Sequence, residues 1–78
     1  MATLLLFASI RQAAGCRTAS VDGATVEQVL AGAMAQFGDD FTRLLPYCTV
    51  LVDEEPANAS TSVPPDSEVA LLPPVSGG

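Results

Sequence analysis

An α+β fold, with a small sheet of four to five strands and one main helix packed across it, is predicted by three observations on this sequence. The chain has 78 residues, enough for one domain, and a domain of that size buries only about 60–65% of its unfolded surface. Its residues are 49% hydrophobic but only 5% aromatic, so the core must be built from Leu, Val and Ala, which suits a helix laid on a sheet. The order of apolar runs and breakers places strands at both ends of the chain and one clear amphipathic helix between them.

Residues 2–7 read as the first strand. Gly15 follows the segment 8–14 at a place where a helix C-cap favours positive φ; the helical assignment of that segment comes from the resemblance given below. Residues 16–21 read as a second strand, ended by the Asp22-Gly23 turn. The clearest helix comes next. Thr25 can cap it, and Gln28 three residues on can return the bond in a capping-box pattern. Val26, Val29, Leu30, Ala33 and Phe37 then recur at helical spacing until Gly38 stops the element, a stripe that reads as core and not as a ligand box. Residues 39–46 are expected to form a short irregular or 3₁₀ connection, with Phe41, Leu44 and Leu45 covering the open edge of the core. A third strand over 49–53 precedes a turn at Glu54-Glu55-Pro56. Residues 57–66 read as loop, and a last strand spans 68–72. The runs at 4–7 and 69–72 are continuously apolar, as expected for central parallel neighbours.

The formal charge is −6, nine acids against Arg11, Arg17 and Arg43. Phosphate contacts need clustered Lys or Arg, so nucleic acid and anionic membrane surfaces are poor candidates, and a basic protein surface is the better match. No stretch approaches the roughly 20 apolar residues of a membrane span, and the first residues lack the flanks of a signal peptide; a soluble, cytoplasmic protein is expected. The absence of lysine removes every side-chain amine that an activated C-terminal acyl group could attack, although biased composition explains it more simply.

Parts for catalysis are missing from the sequence. There is no His, and no Ser or Cys has a base near it. The spacing of Cys16 and Cys48 fits neither zinc nor Cys-x-x-Cys. Cys48, in an apolar run, is expected to be a buried inert thiol, and Cys16, beside Arg17, to be more exposed. The acidic turns Asp39-Asp40 and Asp53-Glu54-Glu55 lack the apolar surroundings of a shifted acid pair and the spacing of a calcium loop. No intrinsic metal or cofactor is expected, and the protein is expected to be acted upon.

The last eight residues are Leu71-Leu72-Pro73-Pro74-Val75-Ser76-Gly77-Gly78. The final residue carries a free backbone carboxylate, and two residues without Cβ let an enzyme close around the backbone. The prolines favour an extended stalk. Small residues often end a chain merely because termini are disordered, but this run is too apolar and too stiff for a solvated tail.

This tail resembles the C-terminal signature of the molybdopterin synthase small subunit, the MoaD-type sulfur carrier of the MoaD/ThiS superfamily. The segment from Leu4-Leu5-Leu6-Phe7 through Arg11 to Gly15 is similar to the first strand and short helix of the same family. The resemblance covers essentially the whole chain. It implies a ubiquitin-like β-grasp with a mixed sheet and the last strand beside the first, a domain over 1–72 and an extended tail over 73–78. Thiamine carriers usually lack the Pro-Pro pair. The sequence departs from the family in having Asp53 where Asn is common and Asp66-Ser67 where Gly-Asp is common, both in turns where Asp and Ser can bond to the backbone.

The resemblance also implies a chemistry. An E1-like adenylyltransferase, using ATP and magnesium, adenylates Gly78; a sulfurtransferase supplies sulfur; and the resulting thiocarboxylate donates it to cyclic pyranopterin monophosphate in the active site of the large subunit, in a heterotetramer of two small and two large subunits. Gly77 and Gly78 would lie in the partner's channel, with Pro73, Pro74, Val75 and Ser76 as the guide. Docking needs more than a flexible tail, and the family's partner surface points to Phe7 and Leu72 as apolar anchors. Phe7 alone fits the core equally well, because strand residues alternate faces. Arg11 could pair with an acidic partner group or cap its own helix. Three other readings remain: a ubiquitin-like modifier conjugated through Gly78, a carrier for thiamine or cysteine synthesis, and, blandest, a passive β-grasp binding module.

Overall fold

The computed structural model describes residues 1–74. Five strands form one mixed sheet: β1 (Ala2–Leu6), β2 (Thr18–Val21), β3 (Thr49–Val52), β4 (Glu55–Pro56) and β5 (Glu68–Leu72), in the order β2-β1-β5-β3-β4. The last strand lies in the centre, parallel to β1 with Leu4 opposite Val69, and antiparallel to β3 with Leu51 opposite Ala70. Three helices, α1 (Ala8–Ala14), α2 (Val26–Phe37) and α3 (Asp39–Leu44), and a 3₁₀ turn, Leu45–Tyr47, complete the domain.

Local chemistry sets the elements. Gly15, at φ 77°, closes α1 by donating to the Arg11 carbonyl at 2.9 Å. Thr25 Oγ1 accepts from the Gln28 N–H at 3.3 Å, while Gln28 Oε1 accepts from the Ala24 N–H at 2.8 Å, one residue before the position a capping box would use. The next orphan donors of α2, on Val26 and Glu27, donate to the carbonyls of Thr61 and Ala59. The 57–66 loop is thereby tied to the helix start. Gly23 is required by close approach: a Cβ there would lie 2.7 Å from the Val29 backbone nitrogen.

Three expectations are corrected. Residues 39–44 form a helix, not an irregular connection, and only Leu45–Tyr47 is 3₁₀. Asp39 and Asp40 suit the positive end of its dipole, Arg43 pairs with Asp40 at 3.2 Å, and Phe41 is fully buried with its ring 5.1 Å from that of Phe37. The hairpin turn falls at Asp53-Glu54, both at positive φ (49° and 72°), and Glu55–Pro56 is a short edge strand. β2 begins at Thr18 and not at Cys16, although the Arg17 carbonyl still accepts from the Leu6 N–H at 2.9 Å.

The core lies between one face of the sheet and the helices. Ala2, Leu4, Leu6, Val21, Val52, Val69 and Leu71 meet Ile10, Val26, Val29, Ala33, Phe41 and Leu45 there.

Candidate functional site

Strand alternation divides the central strands between two environments. In β1, Ala2, Leu4 and Leu6 are buried, while Thr3 and Leu5 point the other way; in β5, Val69 and Leu71 are buried, while Ala70 and Leu72 point the other way. The strand register lines up Thr18, Leu5, Ala70, Leu51 and Pro56 across this second face. Central parallel strands normally carry cover on both sides; here the helices cover one. On the other, a hollow of about 320 Å³ opens among Leu5, Phe7, Leu51, Ala70 and Leu72, edged by Glu54 and Glu68.

Phe7 is the residue that precedes α1, in extended conformation and 43% exposed, so it is not a core residue. Leu72 is half-buried and lines the same hollow. Arg11, exposed on α1, lines an adjoining hollow of about 230 Å³ with Leu5, Leu6, Phe7, Arg17 and Thr18. Pro73, half-buried, and Pro74, exposed, continue from β5. Val75, Ser76, Gly77 and Gly78 lie outside the described residues. Sequence reasoning did not single out Leu5, Leu51, Ala70, Glu54, Glu68 or Arg17 for this face. For Leu5 and Ala70 a signal existed in the apolar residues on both faces of β1 and β5; for the two glutamates there was none, because their position depends on the hairpin turn.

One charged group is built into the edge of the face. Asp53 Oδ1 accepts from the Glu68 N–H at 3.0 Å, and the Asp53 N–H donates to the Glu68 carbonyl at 2.9 Å. The Glu68 amide, and after it the Ser67 hydroxyl, hold the Asp53 carboxyl below its ordinary range by bonding to its ionised form. Burial pushes the Cys48 thiol up, and its Sγ donates to the Leu44 carbonyl at 3.6 Å; it is a poor source of thiolate. Cys16 is half-buried beside Arg11 and Arg17. Among the described residues no group of three or more His, Cys, Asp or Glu is placed to hold a metal ion, and no helix is long and apolar enough to cross a membrane.

Residues 4–78 match the ThiS family. The chain belongs to the ThiS family. No curated protein matches it. Among solved structures, this ThiS family chain is similar to small archaeal modifier protein 1 (SAMP1) from Haloferax volcanii, at 35% identity and TM-score 0.80 over 99% of this chain and 98% of that one. It shares its fold with the Amycolatopsis orientalis BexX/CysO complex (20% identity, TM-score 0.86, 100% of both chains). The same holds for the complex of subunits 1 and 2 of molybdopterin-converting factor from Helicobacter pylori (19% identity, TM-score 0.73, 99% of this chain and 97% of that one). Its fold is the ubiquitin-like β-grasp of these neighbours.

Proposed function

We propose that the chain is the sulfur-carrying small subunit of a molybdopterin synthase. The observation that supports this most is the order of residues after β5. That strand is held between β1 and β3, and the sequence runs from it through Pro73-Pro74 to Gly77-Gly78. The tail therefore starts at a fixed point beside the uncovered apolar face that carries Phe7 and Leu72. The Pro-Pro pair favours this pathway over thiamine synthesis.

In this reading a Gly78 carboxylate oxygen attacks the α-phosphorus of ATP in an E1-like adenylyltransferase that uses magnesium, and pyrophosphate leaves. A sulfur nucleophile delivered by a sulfurtransferase then attacks the acyl carbon, and AMP departs from it. The thiocarboxylate carries sulfur to cyclic pyranopterin monophosphate in the large subunit, in a complex of two small and two large chains. The chain supplies the reacting carboxylate, a backbone end slim enough for a channel and the surface that docks it. That neighbours of this fold were solved in complexes, BexX with CysO and the two molybdopterin-converting factor subunits together, supports a larger protein partner.

The 35% identity to Haloferax volcanii SAMP1, a small archaeal modifier protein, favours a second reading, conjugation through Gly78 to amines of other proteins. Intact-mass analysis after incubation with the host's adenylyltransferase, sulfurtransferase, ATP and magnesium separates the two. Replacement of one oxygen by sulfur is the expected result for a carrier; lysine-linked adducts in cells, without that exchange, would mark a modifier. Deletion of Gly78 should abolish either product while leaving circular dichroism and melting nearly unchanged, since a terminal residue contributes little packing. Molybdopterin synthesis by the truncated chain would overturn the carrier reading.

A further inference from the structure

We propose that Arg17, with Arg11, forms the basic end of a two-ended docking face whose acidic end is Glu54 and Glu68, and that a protein partner matches it with an acidic segment over α1 and β2 and a cationic group over the β3–β4 turn. The inference rests on the carrier reading, which supplies the partner.

Charge is sorted along this chain. Residues 1–21 contain Arg11 and Arg17 and no acid, whereas residues 22–78 hold all nine acids against Arg43 alone. Folding turns this sorting into a direction on the sheet, because β2 is one edge and β4 the other. Arg17 is fixed next to β2 by the bond from the Leu6 N–H to its carbonyl, and its side chain is exposed. It lines the hollow that contains Arg11 and Phe7. Leu5 and Phe7 are shared with the apolar hollow whose rim carries Glu54 and Glu68. Phe7 thus stands between a basic recess and an acid-edged one. Among the described residues the ion pair found is Arg43 with Asp40, away from this face, so the charges on the face are left for a partner.

Distance decides whether the two ends act separately. Crossing from β2 to the β3–β4 turn with Glu54 takes three to four inter-strand steps, or about 14–19 Å at roughly 4.8 Å each; Glu68, on β5 opposite Thr3, is two steps across, about 10 Å, and three residues along the strands from Leu6, to which Arg17 is bonded, about 10 Å more. The Debye length near physiological salt is about 8 Å. The ends therefore do not neutralise one another in solution, and each meets its own complement. Such rim charges govern approach and register more than final affinity. The negative charge of the remainder of the chain disfavours a nucleic acid at the basic end, which leaves an acidic protein segment.

The test follows association of the full-length chain with its host's E1-like adenylyltransferase, at low and high salt, together with ATP–pyrophosphate exchange. Arg17→Glu and Glu68→Lys should each slow association about tenfold at low salt, with the gap closing at high salt. Arg17→Lys should stay within about twofold, since the charge is kept, and none of the three should shift melting appreciably. If Arg17→Glu associates at the parent rate while Leu72→Arg does not bind, the proposal fails and the carrier reading stands. Loss of self-association by Arg17→Glu, with partner binding unaltered, would instead assign the face to a second copy and overturn the proposal. No binding and no exchange by the unaltered chain would remove the carrier reading and this inference with it.

Discussion

Asp53 shows how one turn residue links the β3–β4 hairpin to the strand that lines the uncovered sheet face. Its carboxylate accepts the Glu68 N–H, and its backbone takes a left-handed φ of 49°. An Asn, the residue common in the resembling family, keeps a side-chain oxygen acceptor and tolerates that φ. Because hydrogen bonding holds the folded carboxyl below its unfolded value of about 3.9, the contribution to stability is fully present above that value and is lost as pH falls through the folded one. Asp53→Asn should leave the neutral-pH urea midpoint near that of the parent and flatten part of its fall between roughly pH 4 and 2; an acid limb identical to the parent's would contradict this. The turn itself was not legible in the sequence, because Asp53-Glu54 lacks the Gly or Asn that usually signals two positive φ values. Gly15 and the Thr25-Gln28 pair were legible, since each meets a local backbone need with a residue suited to it.

The helices and strands were read to the extent that their signals are local and long enough. α2 runs over twelve residues with a repeated apolar stripe and a cap at each end, and its limits follow from sequence. α3 has six residues, too few for a period to register, and its stability comes from packing that sequence alone does not display. Phe41 is its anchor. With the ring fully buried against Phe37, Phe41→Ala should cost about 3–5 kcal/mol, a large share of the roughly 4–12 kcal/mol available to a domain of this size. Phe7→Ala, at the other aromatic site and 43% exposed, should cost about 1 kcal/mol or less. Denaturant titration of both variants checks the contrast, and equal losses would mean that Phe7 contributes to the core after all.

Considered as one body, the protein has a sheet with two unlike faces: one makes the core, and the other is apolar but without helical cover among the described residues. The sequence shows both faces of β1 and β5 to be apolar, and the resemblance picks out Phe7 and Leu72 on the second; which side the helices take depends on register, and a shift of one residue reverses it. Leu71 and Leu72 make that division testable, because they are adjacent in β5 and point to opposite sides, Leu71 fully buried and Leu72 lining the open hollow. Leu71→Arg places an unpaired cation in the core and should unfold the domain. Leu72→Arg leaves its charge in reach of water at the rim, so the fold should persist, while loss of an apolar anchor weakens partner binding by at least about 2 kcal/mol, roughly thirty-fold. Thermal melting and affinity for the adenylyltransferase, measured on both variants, decide the matter. A collapsed melting transition for Leu72→Arg would return that residue to the core. Unchanged affinity with an intact fold would move the docking surface away from the hollow of Phe7 and Leu72.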